Sequence, residues 1–183
     1  RLFTGPRFVK SSISHTPAFP YDTISLTTKN GTLIDAWYAA PDTVAKGTVI
    51  FFHCITANKS LLMAEAGDFR YQGYNVMLVD FRAHGNSKGN TTTIGASEAE
   101  EVQLAYNFIK NKAEKNIFLY GVSMGAVSVL KSIAEYELKP AGAIIEMPFL
   151  SMQTHLQARA RLLGFGGFPE KPSSFLTTGW ISI

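Results

Sequence analysis

Residues 116–130 read NIFLYGVSMGAVSVL, and this stretch decides the predicted fold. It begins with a short apolar run, typical of a buried strand, and ends with small and apolar residues typical of a helix. Between them lies Gly121-Val-Ser123-Met-Gly125, a G-x-S-x-G pattern. Small residues are needed where a chain turns sharply from a strand into a helix, because the two segments approach closely. The stretch therefore predicts a strand over 116–120, a tight turn that exposes Ser123, and a helix over 126–138.

The flanking sequence alternates between strand-like and helix-like patterns. An opening hairpin is predicted within residues 21–39, with its turn at Asn30-Gly31 because both residue types tolerate a positive φ. Further strands are predicted over 47–53, 75–81 and 141–149, and further helices from Ser60 to Gly73 and from Ser97 onward. Strands joined by helices of this length form right-handed crossovers. The sequence thus predicts an α/β fold, a mostly parallel sheet with helices on both faces and an opening antiparallel hairpin.

Three local details are also predicted. Ser97 and Glu100 match a capping box at the head of the second helix. Residues 85–95 are polar and glycine-rich, which indicates a loop. The apolar residues of the third helix fall on one stripe, which predicts that they are buried: Val127, Leu130, Ala134 and Leu138.

Composition excludes several classes of protein. The chain has 183 residues, 46% hydrophobic and 17% charged, which suits one domain with its own core and argues against disorder. The net charge of +3 comes without a basic run, so no nucleic-acid partner is expected. A single cysteine, Cys54, excludes an internal disulfide framework, and four scattered histidines lack metal-ligand spacing. Neither a metal nor another cofactor is therefore predicted.

The sequence says less about the cellular location and the oligomeric state of the protein. No apolar stretch approaches the roughly 20 residues that a membrane span needs. The chain begins with Arg1 and not Met, so a leader or membrane anchor upstream stays possible. The single cysteine favours a reducing compartment such as the cytoplasm. Membrane anchoring, oligomeric state and the natural termini stay open.

Two polar loops follow neighbouring strands. His53-Cys-Ile55-Thr-Ala-Asn-Lys59 comes directly after one predicted strand, and Asp80-Phe-Arg-Ala-His84-Gly-Asn-Ser87 comes after the next. In open α/β sheets, ligands bind at the carboxyl ends of the parallel strands. Both loops and the turn at Ser123 are predicted to meet at this edge.

Together these motifs, H-x-x-x-A-N-K, D-F-R-x-H-G-x-S and G-x-S-x-G, resemble the α/β-hydrolase superfamily, in particular its esterase, monoacylglycerol-lipase-like and serine-aminopeptidase-like branch. The resemblance covers about residues 21–149. It implies that Ser123 is the nucleophile and that the backbone N–H groups of Met124 and Ile55 form the oxyanion hole. It also implies that residues 1–149 form the hydrolase core and that 150–183 begin a cap.

The resemblance further implies supporting roles beside the site. Asp80, Arg82 and His84 would shape and brace their loop, and His53 would support the other one. The sequence departs from the family at two positions where glycine is usual, Cys54 and Ala83.

The family's later catalytic groups have no clear counterpart. Its order is serine, then an acid, then a histidine. After Ser123 there is no Asp, and the only His is His155, which reads as a surface or cap residue. The remaining acids are Glu135, Glu137, Glu146 and Glu170. Glu146, near the end of the last strand, could reach the site edge, but bracing the cap is the favoured role.

A serine hydroxyl needs a positioned base to attack at neutral pH. We therefore expect that this chain is the amino-terminal portion of a hydrolase and that it is inactive alone, because the acid and base are missing. The strand over 141–149 would then be an exposed sheet edge, which is an aggregation hazard.

The sequence predicts a serine hydrolase that cleaves a carboxylic ester or related acyl bond of a small molecule, without a cofactor. Three alternatives stay open. They are cleavage of an amide at a peptide N-terminus, a non-catalytic binding module of the same fold, and a tight corner at which the glycines only relieve crowding. Leu162, Leu163, Phe165 and Phe168 either line an acyl pocket or pack a helix.

Overall fold

A six-stranded mixed sheet is the centre of the fold in the computed structural model, which describes residues 3–4, 15–114 and 116–149. The strands are β1 (Phe3–Thr4), β2 (Asp22–Thr27), β3 (Leu33–Ala39), β4 (Thr48–Phe52), β5 (Asn75–Val79), β6 (Thr91–Thr92), β7 (Ile117–Val122) and β8 (Gly142–Glu146). The α-helices are α1 (Met63–Tyr71), α2 (Ala99–Asn111) and α3 (Met124–Glu135), and a short 3₁₀-helix, Lys59–Leu62, precedes α1.

The strand order in the large sheet is β2-β3-β5-β4-β7-β8. The pairs β2–β3 and β3–β5 are antiparallel, whereas β5, β4, β7 and β8 run parallel to one another. All five residues of β4 are buried, as expected for a central strand with both faces covered. The predicted fold class is therefore confirmed. The carboxyl ends of β4, β5, β7 and β8 lie at one edge of the sheet.

One face of the sheet carries an aromatic and aliphatic core under α1. Phe51 and Tyr120 project from β4 and β7 into this core, and Ala66 of α1 packs into it with no exposed surface. Phe69 of α1 stacks edge-on against Phe51, with ring centroids 5.8 Å apart. Burial of these large side chains is the main stabilisation of α1 on the sheet.

The opening hairpin forms as predicted, but its turn is longer than two residues. Only Gly31 has a positive φ, +82°, and its N–H donates to Thr28 O at 2.9 Å. Asn30 contributes through its side chain, whose Oδ1 accepts from the Thr28 and Thr32 hydroxyls at 2.6 and 2.9 Å. The loop therefore spans Thr28 to Thr32, closed by a bond from Thr28 N to Thr32 O.

The predicted capping box at Ser97 and Glu100 is wrong. Helix α2 begins at Ala99, its N-cap is Glu98, and no side chain caps it. The loop predicted over 85–95 also contains a short strand, β6, which pairs with β1. In place of the predicted cap, the Glu98 side chain bonds back to residues 92–95.

The predicted buried stripe of the third helix is also wrong. Leu130 and Ala134 are exposed, Val127 is half-buried, and Leu138 lies beyond the end of α3. The buried face consists instead of smaller residues and Met124: Met124, Gly125, Ala126, Ser128, Val129 and Ser132. Small side chains let α3 approach the sheet closely, and the Ser128 hydroxyl is satisfied by donating to Met124 O at 2.8 Å.

Strand β8 is shorter than predicted and its residues are half-buried or exposed, so the interpretation of 141–149 as a buried strand is wrong. Among the described residues β8 pairs with β7 alone, which agrees with the expected exposed edge.

The described residues up to Pro148 belong to one unit, Arg1–Pro148. The predicted cap over 150–183, with His155 and Glu170, lies outside the described residues and stays a prediction. No helix in the described ranges has the length and apolarity to cross a bilayer.

Candidate active site

Ser123 lies between β7 and α3 in a strained backbone conformation. Its φ is +53° and its ψ is −108°, which non-glycine residues rarely adopt. A Cβ on Gly121 would lie 2.6 Å from Gly125 O, so this turn requires glycine. Such strain persists only where the surroundings enforce it, and it clusters at functional sites.

The backbone of Ser123 is fixed from two sides. Its N–H donates to Glu146 O at 2.8 Å, and its carbonyl accepts from Val127 N at 3.1 Å. The side chain is half-buried, and no group in the described ranges hydrogen-bonds to its hydroxyl. The result is a rigid backbone that carries a hydroxyl available to a ligand.

The start of α3 touches the end of β4. A Cβ on Gly125 would lie 2.1 Å from Phe52 O and 3.0 Å from His53 O. Met124, the first residue of α3, is fully buried, and its N–H is one of the four that have no partner within the helix. Ile55, half-buried, lies two residues beyond His53. The segments that carry the two predicted oxyanion donors therefore meet beside Ser123.

His53 ties the loops after β4 and β5 together. It is fully buried; its Nδ1 lies 2.7 Å from Cys54 O, and its Nε2 lies 3.2 Å from the N–H of Phe81. These partners define a neutral ring that carries its proton on Nδ1. Burial lowers the pKa of His53 to about 3, and the neighbouring His84 adds to this effect. Because both of its ring nitrogens are hydrogen-bonded to the backbone, His53 connects the two loops and is not available as a base for Ser123.

Asp80 and its partner Lys59 together join three segments: the 3₁₀-helix after β4, the loop after β5, and β3. Asp80 is fully buried and its Oδ1 accepts from Lys59 N at 2.7 Å, while its Oδ2 accepts from Lys59 Nζ at 2.6 Å and from Asn86 N at 2.8 Å. Lys59 Nζ also pairs with Asp35 of β3 at 2.5 Å. A Cβ on Gly85 would lie 2.1 Å from Asp80 Oδ2, so glycine makes room for the carboxylate.

Arg82 and His84 make their hydrogen bonds to groups other than Ser123. Arg82 N donates to Glu101 at 2.9 Å, and its guanidinium bonds to Glu101 and Glu100 of α2. Burial raises the pKa of Glu101 to about 8, although Arg82 opposes the shift. His84 is fully buried, with Nδ1 2.8 Å from Arg82 O, and its Nε2 has no hydrogen-bond partner among the described residues.

The two departures from the family pattern, Ala83 and Cys54, differ in the backbone strain that they cause. Ala83 has φ +63° and is fully buried, which explains why glycine is usual there. Cys54 has no such conformation and packs partly against the core under α1, where burial raises the pKa of its thiol.

Glu146, whose role the sequence left open, accepts a hydrogen bond from Tyr120 Oη, and burial raises the pKa of that phenol.

Three buried charged residues were not found from the sequence: Lys59, Glu98 and Glu101. Lys59 was quoted only as the end of a motif, and Glu98 received no role. Both lie inside polar, turn-prone segments, which predicts exposure. No local pattern indicates that Lys59 pairs with Asp80 of the next loop or that Glu98 bonds back to residues 92–95. Metal ligation has no support in the described ranges, which contain no cluster of three or more suitable side chains.

The sequence model of one hydrolase family, described as serine aminopeptidase S33, matches residues 43–168, more than half of the chain. This chain belongs to the serine aminopeptidase S33 family of α/β hydrolases. The expected family resemblance is thereby confirmed.

The curated relatives of this chain are longer than the chain itself. It is 33% identical over 99 residues to the Bacillus subtilis protein YqkD, covering 53% of this chain and 32% of that protein. It is 25% identical over 131 residues to YfhR of Escherichia coli K12, covering 68% of this chain and 45% of that protein. The chain thus spans less than half the length of these relatives.

Among solved structures, the family member resembles an esterase from Pyrococcus furiosus, with 26% identity and a TM-score of 0.76 over 99% of this chain and 70% of that one. A thermostable carboxyl esterase from Bacillus coagulans is 19% identical, with a TM-score of 0.61 over 82% of this chain and 52% of that one. The second likeness concerns the fold alone. Both likenesses agree with the α/β fold described above.

Proposed function

We propose that Ser123 is the nucleophile of a serine hydrolase that cleaves a carboxylic ester or related acyl bond of a small molecule. The observation that carries the proposal is the strained backbone of Ser123, φ +53° and ψ −108°, between a buried strand and a helix N-terminus. A serine at such a turn projects its hydroxyl from the sheet edge. Glycines on both sides allow that turn.

The proposed oxyanion hole consists of the backbone N–H groups of Met124 and Ile55. The N-terminal end of α3 carries a partial positive charge, which stabilises negative charge on a substrate oxygen. Phe52 O and Gly125 are in direct contact, which supports a short distance between the two donor segments. Fixed donors of this kind stabilise the transition state by several kcal/mol, about 3–4 for a single donor.

The chemistry runs through an acyl-enzyme. Ser123 Oγ attacks the substrate carbonyl carbon and its proton passes to a base, while the carbonyl electrons move to the oxygen held by the two N–H groups. Collapse of this intermediate breaks the bond to the leaving group, which takes the proton from the base. Water then attacks the acyl-enzyme and releases the acid and Ser123.

The base in this proposal comes from outside the described residues. His53 has both ring nitrogens engaged, and the free Nε2 of His84 is buried without a contact to Ser123. Asp80, His53 and His84 are therefore proposed as supports of the site loops and not as members of a catalytic triad. On this proposal, activity belongs to the complete protein.

An amide substrate is the second candidate. The family description, serine aminopeptidase, favours cleavage at a peptide N-terminus, whereas the named activity of the Pyrococcus furiosus neighbour is that of an esterase. Both reactions use the same acyl chemistry, and residues beyond the core select the substrate. A panel of p-nitrophenyl esters and aminoacyl-p-nitroanilides, measured on the full-length protein, ranks the two.

The test of the nucleophile uses the full-length protein and a fluorophosphonate probe, which reacts only with an activated serine. Ser123→Ala should abolish both labelling and turnover. Ser25→Ala is the matched control, because Ser25 is an exposed serine on β2, and it should leave both unchanged. Undiminished turnover in Ser123→Ala would refute the mechanism. A wild-type protein that neither labels nor turns over either substrate class would favour a binding module.

A further inference from the structure

A buried carboxylate organises the loop before α2. Glu98 has no exposed surface. Its Oε1 accepts hydrogen bonds from Thr92 Oγ1 at 2.8 Å and Thr93 N at 2.9 Å. Its Oε2 accepts from Thr93 Oγ1 at 2.7 Å and Gly95 N at 2.8 Å. Four donors match the acceptor capacity of a carboxylate, so all of its bonding is directed at residues 92–95.

The loop held by Glu98 is strained. Ile94 has φ +55° and is 7% exposed, a conformation that is an outlier for a β-branched residue. Gly95 follows with φ +106°. A residue in such a conformation costs about 1–3 kcal/mol and persists only when its surroundings enforce it. The Glu98 hydrogen bonds on either side of Ile94 supply that enforcement.

The same loop packs against the first turn of α3. A Cβ on Gly95 would lie 2.8 Å from Val127 Cγ1 and 3.4 Å from Met124 O. Thr92 Oγ1 lies 3.6 Å from Met124 Sδ, and both residues are buried. Thr92 thus contacts the side chain of Met124, and Gly95 lies close to its backbone. A shift of the loop would displace the residue next to Ser123.

We propose that Glu98 is a positioning residue for the oxyanion hole: by fixing residues 92–95 it holds Met124, and with it the N–H that receives the developing negative charge. Glu98 itself contacts no substrate. The inference rests on the proposed function of Ser123 and Met124. A displacement of about 1 Å remote from the chemistry can lower a rate by about a hundredfold. Because the oxyanion forms only in the transition state, the loss should appear in kcat and not in KM.

The test compares two isosteric substitutions in the full-length protein. Glu98→Gln replaces one acceptor oxygen by an NH₂ group, which repels a backbone N–H of the loop. We expect kcat for a p-nitrophenyl ester to fall about tenfold or more with KM nearly unchanged, and fluorophosphonate labelling to slow in parallel. Glu114→Gln is the matched control, since Glu114 accepts from Thr48 and Asn75 near the opposite ends of β4 and β5. It should lower stability without changing kcat.

A milder variant covers the case in which Glu98→Gln does not fold. Thr92→Val keeps the shape of the side chain but removes one donor to Glu98, the acceptor for Ile94 N and the contact of the hydroxyl with Met124 Sδ. It should lower kcat several-fold at temperatures well below its melting point. Wild-type kcat in the folded Glu98→Gln or Thr92→Val variant, or an equal loss in Glu114→Gln, would overturn the inference and leave the role of Ser123 intact. Turnover that survives Ser123→Ala would remove the proposed function itself.

Discussion

The Nζ atom of Lys59 lies 2.6 Å from Oδ2 of Asp80, and neither side chain has any exposed surface. A buried ion pair of this kind is expensive to break, because removal of one partner leaves the other charge buried and uncompensated. Lys59 closes the loop that begins at His53, and Asp80 begins the loop after β5. The pair therefore links the two loops beside Ser123.

Lys59→Met should lower the free energy of unfolding by about 3–5 kcal/mol, measured by urea denaturation. Lys131→Met is the matched control: the Lys131–Glu135 pair lies on the surface of α3, so its loss should cost less than about 0.5 kcal/mol. In Lys59→Met/Asp80→Asn no full charge of the pair remains buried, and much of the loss should be recovered. Equal losses in Lys59→Met and Lys131→Met would contradict the importance of the buried pair.

Two helical glycines should respond in opposite directions to alanine. Gly125→Ala places a Cβ 2.1 Å from Phe52 O and should destabilise the protein by about 1–3 kcal/mol or more, with loss of fluorophosphonate labelling. At Gly67, within α1, the nearest atom to a new Cβ is Phe19 Cε1 at 3.9 Å. Gly67→Ala should therefore stabilise by about 0.5–1 kcal/mol through helix propensity. Thermal unfolding of both variants measures these two changes in stability. A Gly125→Ala protein that is stable and still reacts with the probe would rule out the close approach of α3 to β4.

The strain at Ser123 predicts a difference between two variants that both lack the hydroxyl. Glycine adopts φ +53° and ψ −108° without a Cβ clash, whereas alanine retains the clash. Ser123→Gly should thus be more stable than Ser123→Ala by about 1 kcal/mol or more in urea denaturation. If alanine proves as stable as glycine, the backbone at this turn is not strained.

The low pKa of His53 predicts a loss of stability in acid. Burial lowers the pKa to about 3 in the folded protein, whereas an unfolded histidine has a pKa of about 6.5. Below about pH 6.5 the unfolded chain therefore binds a proton that the folded chain does not. The free energy of unfolding should fall by about 1.4 kcal/mol per pH unit from about pH 6 toward pH 4 through this group.

The measurement for His53 is urea denaturation at several pH values, compared with His53→Gln. Carboxylates also contribute to the acid slope, but they are common to both proteins. The slope in this window should be shallower in His53→Gln even if that variant is less stable throughout. Parallel slopes would show that His53 accepts a proton in the folded state.

Local patterns were sufficient for most of the fold. The apolar runs and the glycine-rich turn predicted the hairpin, the four parallel strands and the three helices within a few residues of their observed bounds. They also placed Ser123 at a sharp strand-to-helix turn, because G-x-S-x-G reports a steric requirement between neighbours in sequence. Two errors, for Leu130 in α3 and for strand β8, occurred where apolar sequence was used to predict burial. The capping box at Ser97 failed because the N-cap of α2 is Glu98, one residue later than the local motif predicts.

The sequence by itself determined the order of strands and helices and the turn that carries Ser123, because these depend on residues within a few positions of one another. Only the tertiary structure decided which polar groups are buried. Lys59 meets Asp80, 21 residues away, because β4 and β5 are adjacent in the sheet, and Glu98 reaches residues 92–95 because that loop packs against α3. A charged side chain is buried only where partners compensate its lost hydration. The partner of Lys59 is brought close by the sheet, and the loop that binds Glu98 lies against α3, so both sets of bonds depend on the folded structure.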